Sequence, residues 1–317
     1  MKYTNTSRLL STIFHAIIFL GFGALGVYFG LAVAPCYMSG SATSLDTIIA
    51  PYNLYSELGI VGLSLATISM YGFIHGYKAL QNPRDDAPVI KAFNAFIAEG
   101  FIAGIFCLAN GVIYFDAIRG GSEKGLGFLI AAMIILFIGL MIATNIPMVK
   151  LYDNKDQTPL LSSMSMAAAV FFGWATIVTL GSLIGSWVRG VESWSHVINN
   201  QLLAFMIVYA VNTVLLVLSS LFLKKGGDLQ KKLAGYFTSL VIFLISLCYI
   251  ADGIIGLVYG NAGGSVKNVH LEGIEFAIPK SGDAYAIICL VVGGLLLIGS
   301  IIFVGMHGTG KLKKKAK

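Results

Sequence analysis

Long apolar stretches recur along the whole chain, separated by short polar segments, and each is about as long as the 20 or so residues that carry a helix across a bilayer. The pattern predicts spans near 9–34, 54–79, 92–117, 126–149, 160–187, 200–223, 233–260 and 284–306. A transmembrane β-barrel would need strands of about ten alternating residues, and these stretches are too long and too uniformly apolar for that. The expected fold class is therefore an all-α integral membrane protein of about eight transmembrane helices. Between the seventh and eighth spans, Val269 to Phe276 alternates on either side of Glu272-Gly273, which predicts a small β-hairpin.

The polar punctuation repeats. Leu9-Leu10-Ser11-Thr12 opens the first span and Leu160-Leu161-Ser162-Ser163 the fifth, with Gly26 and Gly30 answered by Gly181 and Gly185. In the third and seventh spans Lys91, Phe96 and Cys107 align with Lys232, Phe237 and Cys248 at one offset. After a one-residue slip Asn110-Gly111-Val112-Ile113 answers Asp252-Gly253-Ile254-Ile255, and beyond them Gly120-Gly121-Ser122 answers Gly263-Gly264-Ser265. The expectation is two tandem four-helix units, 1–158 and 159–317, entering the membrane in the same sense about a pseudo-two-fold axis along its normal. The alternative is that glycine-rich apolar sequence aligns with itself too easily.

Composition agrees with the pattern. Of the 317 residues 57% are hydrophobic and 11% charged, where a soluble domain carries about a quarter charged residues. If the segments 1–8, 76–92, 149–158, 224–232 and 309–317 share one side, that side holds every Lys and Arg except Arg119, Lys124, Arg189, Lys267 and Lys280. The positive-inside rule then places both termini in the cytoplasm. The net charge of +6 lies largely in those loops and in the tail from Lys311 to Lys317, beside an anionic leaflet, so membrane lipids rather than nucleic acid are the expected partners. The basic start and Ala32-Val33-Ala34 imitate a secretory signal, but the apolar run is too long for one and has a counterpart at the fifth span. Trp187, Trp194, Tyr37, Tyr52, Tyr55 and Tyr285 fall where the outer surface belongs, as an aromatic belt.

Chemistry inside the spans is sparse. Glu99 and Asp252 are the acids read as lying clearly within them, and each costs a few kcal/mol unless it finds a partner, a proton or water. Asn110 follows Glu99 by close to three helical turns, so the two share a face with Cys107 nearby. Asp252 and Asn110 would meet across the pseudo-axis. The candidate pathway residues are thus Glu99, Asn110 and Asp252, forming a polar site between the halves that is proton-linked through Glu99 or Asp252. On the opposing reading both acids are protonated or hydrogen-bonded and pin helices together. His15 and His75 could in principle bind metal or haem, but no supporting ligand is evident, and satisfied or interfacial histidines are preferred. The four cysteines read as small buried residues. Gly21-Phe22-Gly23-Ala24-Leu25-Gly26 matches a dinucleotide-binding spacing but lies inside a span, where helix packing explains it. Gly100 with Gly104, and Gly293 or Gly294 with Gly299, are expected to be close-contact surfaces of the same kind.

No catalytic constellation, nucleotide loop or zinc motif is visible, so neither an enzyme nor a cofactor is expected. Two functions remain: a small-solute permease or channel-like protein, or a non-catalytic membrane organiser or accessory subunit. The second would bind a partner protein, or a second copy in a homo-oligomer, through outer loops or helix faces.

Overall fold

Thr4 opens the first helix by accepting the backbone N–H of Ser7 at 3.2 Å, which satisfies one of the donors that a helix start leaves unpaired. In this computed structural model, residues 4–39, 46–119, 158–189, 195–259, 267–271, 274–278 and 283–308 are described. Helix α1 (Asn5–Gly26) passes through a π-helical segment (Val27–Val33) into α2 (Ala34–Ser39). Helix α3 (Asp46–Gln81) returns to a tight turn, where the Asp85 carboxylate accepts the N–H of Ala87 at 2.9 Å and starts α4 (Ala87–Arg119). Then come α5 (Thr158–Arg189), α6 (Ser195–Lys225) and α7 (Asp228–Tyr259), the last two joined at Gly226-Gly227. Strands β1 (Lys267–Leu271) and β2 (Ile274–Ile278) precede α8 (Asp283–Gly308).

Five described helical stretches are long and apolar enough to cross a membrane: Asn5–Cys36, Tyr55–Gln81, Leu161–Val188, Asn199–Lys225 and Asp228–Val258. That is fewer than the eight expected. The predicted span 126–149 lies outside the described residues, as do the α4 side chains beyond Ala103, and the apolar part of α8, Cys289–Gly305, is shorter. What the helices show outward is nevertheless apolar. On α1, Leu9, Leu10, Ile13, Ile17 and Leu20 are exposed, whereas Arg8, Ser11, Thr12 and His15 are buried. A water-facing helix has the reverse distribution, so this arrangement suits lipid as the surrounding solvent.

Helix α3 is the central element. Inside the molecule lies 61% of its most apolar window, against 11% for that of α1, because α3 packs on α1, α4 and α5 together. Helix α5 contributes to three apolar clusters: Ala175, Val178 and Leu183 with α3 and α6, Ala167 with α3 and α4, and Ala169 with α6 and α7. Small residues set the separation of α1 from α3. Gly26 and Gly30 lie backbone to backbone against Gly62 and Gly59, where any side chain would collide. By contrast Gly294 and Gly299, expected to make close contacts, have open space where a Cβ would be, while Gly293 lies against Ile250.

The strands pair antiparallel from Lys267 opposite Ile278 to Leu271 opposite Ile274, the hairpin that the alternation predicts, and β2 rests on α6. Consecutive helices pack together in both halves, α1 on α3 and α3 on α4, then α5 on α6 and α6 on α7. Any up-and-down bundle does the same, so this pairing does not distinguish a duplication from ordinary chain-neighbour packing.

Candidate functional site

Arg8, Ser11, Thr12 and His15 are spaced at i, i+3, i+4 and i+7, which gathers them on one face of α1. That face is turned to the interior, and at its head His15 is completely buried. The Nδ1 atom of His15 lies 2.9 Å from Oε1 of Glu99, and its Nε2 lies 3.1 Å from the carbonyl oxygen of Ala92. From α3, the hydroxyl of Ser69 donates to the same Glu99 Oε1 at 2.7 Å. Three helices therefore converge on one carboxylate, which is 5% exposed. Glycine makes room: a methyl group at Gly72 would occupy the His15 ring, and the other face of that ring stacks on Phe96 at 3.8 Å.

The geometry fixes where protons sit. A carbonyl oxygen only accepts, so His15 Nε2 carries a hydrogen for Ala92. A bond between Nδ1 and Oε1 then requires one further proton between them, giving either imidazolium with carboxylate or neutral imidazole with carboxylic acid. Both forms leave the pair with no net charge, which is the form that a low-dielectric interior favours. The second carboxyl oxygen, Oε2, is buried and has no hydrogen-bond partner.

Toward the α3–α4 turn the same face of α1 ends in Arg8, whose side chain is wholly buried. Its guanidinium donates to the carbonyls of Ala79 and Asp85 at 3.0 Å each, and to Asp86 Oδ1 at 2.5 Å. Ala79 is in the last turn of α3, where carbonyls lack helical partners and the helix dipole favours a cation. Arg8 thus ties the start of α1 to the end of α3 and the turn into α4.

A second polar group lies between α3 and α5. Tyr52 of α3 is hydrogen-bonded to Ser56 and to Ser182 of α5, and its buried phenol, just before the apolar stretch of α3, is pushed up to about 12 by desolvation. It therefore stays a neutral donor through the physiological range. Glu57 is next to Ser56, within the apolar stretch Tyr55–Gln81, and is a third acid that the sequence reading did not count among the spans. Further along α3, Thr67 accepts the indole N–H of Trp174 of α5 at 2.8 Å.

Of the expected pathway residues, Glu99 is at the convergence just described. Asn110 lies on α4 and Asp252 on α7, but their side chains fall outside the described residues, as does that of Cys107. The partner that Glu99 needs is His15, which reaches it from 84 positions away in the chain. His15 is a satisfied histidine, both of its nitrogens being paired, and among the described residues no group of three potential ligands is placed to hold a metal. Cys36 and Cys248 are exposed rather than buried, and Cys289 is buried as expected. The signal that could have revealed the site is the polar face of α1: Ser11, Thr12 and His15 at helical spacing inside the predicted span 9–34, with Arg8 just before it, mark the side that avoids lipid.

Comparison with protein-family models, with curated proteins and with solved structures gives no match.

Proposed function

We propose that this chain is a small-solute permease, non-catalytic, in which polar side chains along α3 line a route through the membrane. The observation that carries the proposal is the His15–Glu99 pair, an ionisable couple held at a few percent exposure among apolar helices. Such a pair costs several kcal/mol to desolvate, and helices are held together at lower cost by apolar packing, so an ionisable pair in a span is a functional group by default. At the other end of α3, Tyr52 is hydrogen-bonded to Ser56 and to Ser182 of α5, with Glu57 next to Ser56 in the chain, and these polar groups support a route running between α3 and α5. Within this reading Asn110 and Asp252 continue the polar face, the units 1–158 and 159–317 are tandem copies of four helices within an eight-span chain, and both termini are cytoplasmic.

The accessory-subunit reading draws support from the glycine-lined seam of α1 and α3, which is closely packed without a visible opening between Gly26 and Gly62. Cysteine accessibility separates the two. In a background lacking the native cysteines, Ser56→Cys and Asn110→Cys are expected to react with small water-soluble thiol reagents in membranes. Inertness of both from either side would remove the permease and leave a packed scaffold.

A further inference from the structure

We propose that the His15–Glu99 pair is a proton-binding site, and that its proton exchanges only when α1 separates from α3 and α4. The inference rests on the permease reading for what the proton would drive, though not for where the proton sits. One proton is required between Nδ1 and Oε1, since Nε2 is committed to the Ala92 carbonyl. Releasing it leaves neutral imidazole, still donating from Nε2, and a carboxylate stabilised by the Ser69 hydroxyl. The released proton passes to a water admitted beside Oε2, the carboxyl oxygen that is buried with no partner of its own.

The pair is sealed as described. Behind the ring is Phe96, in front of it Gly72, and below it Thr12 lies against Gly76. Among the described residues no neighbouring charge is placed to take the proton's position. On α1 the nearest is Arg8, two helical turns away and committed to Asp86. On α3, His75 and Lys78 lie toward the turn and Glu57 toward the far end, and on α4 Lys91 is exposed. Helix α5 has no titratable side chain before Arg189. A bare carboxylate therefore needs water, and water needs a gap.

Helix α1 is the element built to open one. It has little of its surface inside, and its continuation is the π-helical segment Val27–Val33. Segments of π-helix are recurrent at functional sites in helices.

The structure also supplies the lock that tests this. A Cβ built at Gly23 would lie 3.6 Å from the Cβ of Ala66, which matches the separation in a disulfide. The full chain carrying Gly23→Cys and Ala66→Cys, with native cysteines replaced, is placed in lipid nanodiscs with labelled histidine and glutamate. Magnetic resonance of His15 and Glu99 is followed between about pH 4 and 10. The unlocked protein is expected to show one shared protonation change, abolished by Glu99→Gln and displaced by Ser69→Ala, which only removes a donor. Oxidation to the disulfide is expected to slow that change after a pH jump by about tenfold or more, with recovery on reduction. Absence of any change, persistence of the His15 change in Glu99→Gln, or equal rates with and without the disulfide would each overturn the inference. A lockable proton transition in a protein inert to thiol probes would instead sink the permease and leave the proton site.

Discussion

Arg8 and His15 are one face of one helix, yet their energetic roles differ. Arg8 makes three charge-assisted hydrogen bonds to the turn and the end of α3, and removing a buried cation from such a set leaves Asp86 and two carbonyls without their donor. Arg8→Met keeps much of the volume and is expected to lower stability by on the order of 3 kcal/mol, measured by thermal unfolding in detergent micelles. The effect should vanish in a cycle with Asp86→Asn only to the extent that Asp86 carries it, since the two carbonyl bonds remain at stake. Glu99 was legible as an intramembrane acid from its place in an apolar run. Its partner was not, because a contact between residues 15 and 99 is set by how α1 and α4 lie against each other, which no local pattern encodes.

At the scale of elements, glycine decides how near α1 comes to α3. The same residue type has opposite meanings along α1 and α3: a methyl at Gly21 meets nothing within 4 Å, whereas at Gly72 it meets the His15 ring. Gly72→Ala is expected to destabilise by about 2 kcal/mol, as overpacking does, because the ring cannot retreat without leaving Phe96, Glu99 or Ala92. Gly21→Ala is expected to be neutral or to stabilise by up to about 1 kcal/mol through helix propensity. Equal effects in the same unfolding assay would show that the α1–α3 seam is not packed as described. Spacing alone placed Gly26 and Gly30 on one face, but it could not tell them from Gly294 and Gly299, since a glycine on a helix surface becomes a contact only when another helix arrives there.

For the molecule as a whole, the decisive contrast is between an apolar outside and a partly polar inside. Ser64, Ser69, Ser182, Ser186 and Asn212 are fully buried or nearly so, while Leu20, Trp187, Val188 and Leu295 are well exposed. Lipid tolerates this arrangement and water does not, because exposed apolar area on this scale drives aggregation. The protein is expected to pellet with membranes at high salt and alkaline pH, and to require detergent for release. Monodisperse behaviour in plain buffer would remove membrane insertion and every conclusion built on it.

Composition and run length by themselves determined the kind of solvent, the helical class and the place of most helices, since each depends on a tally of apolar residues over about 20 positions. The hairpin was equally readable, because alternation about a Glu-Gly turn is a local signal. Tertiary structure alone decided that α3 is central, that α1 turns its polar face inward onto α4, and that Glu99 is met by His15 and Ser69. Those facts follow from which helix faces meet, and a helix in lipid has several apolar faces of nearly equal merit until small residues and buried hydrogen bonds choose among them.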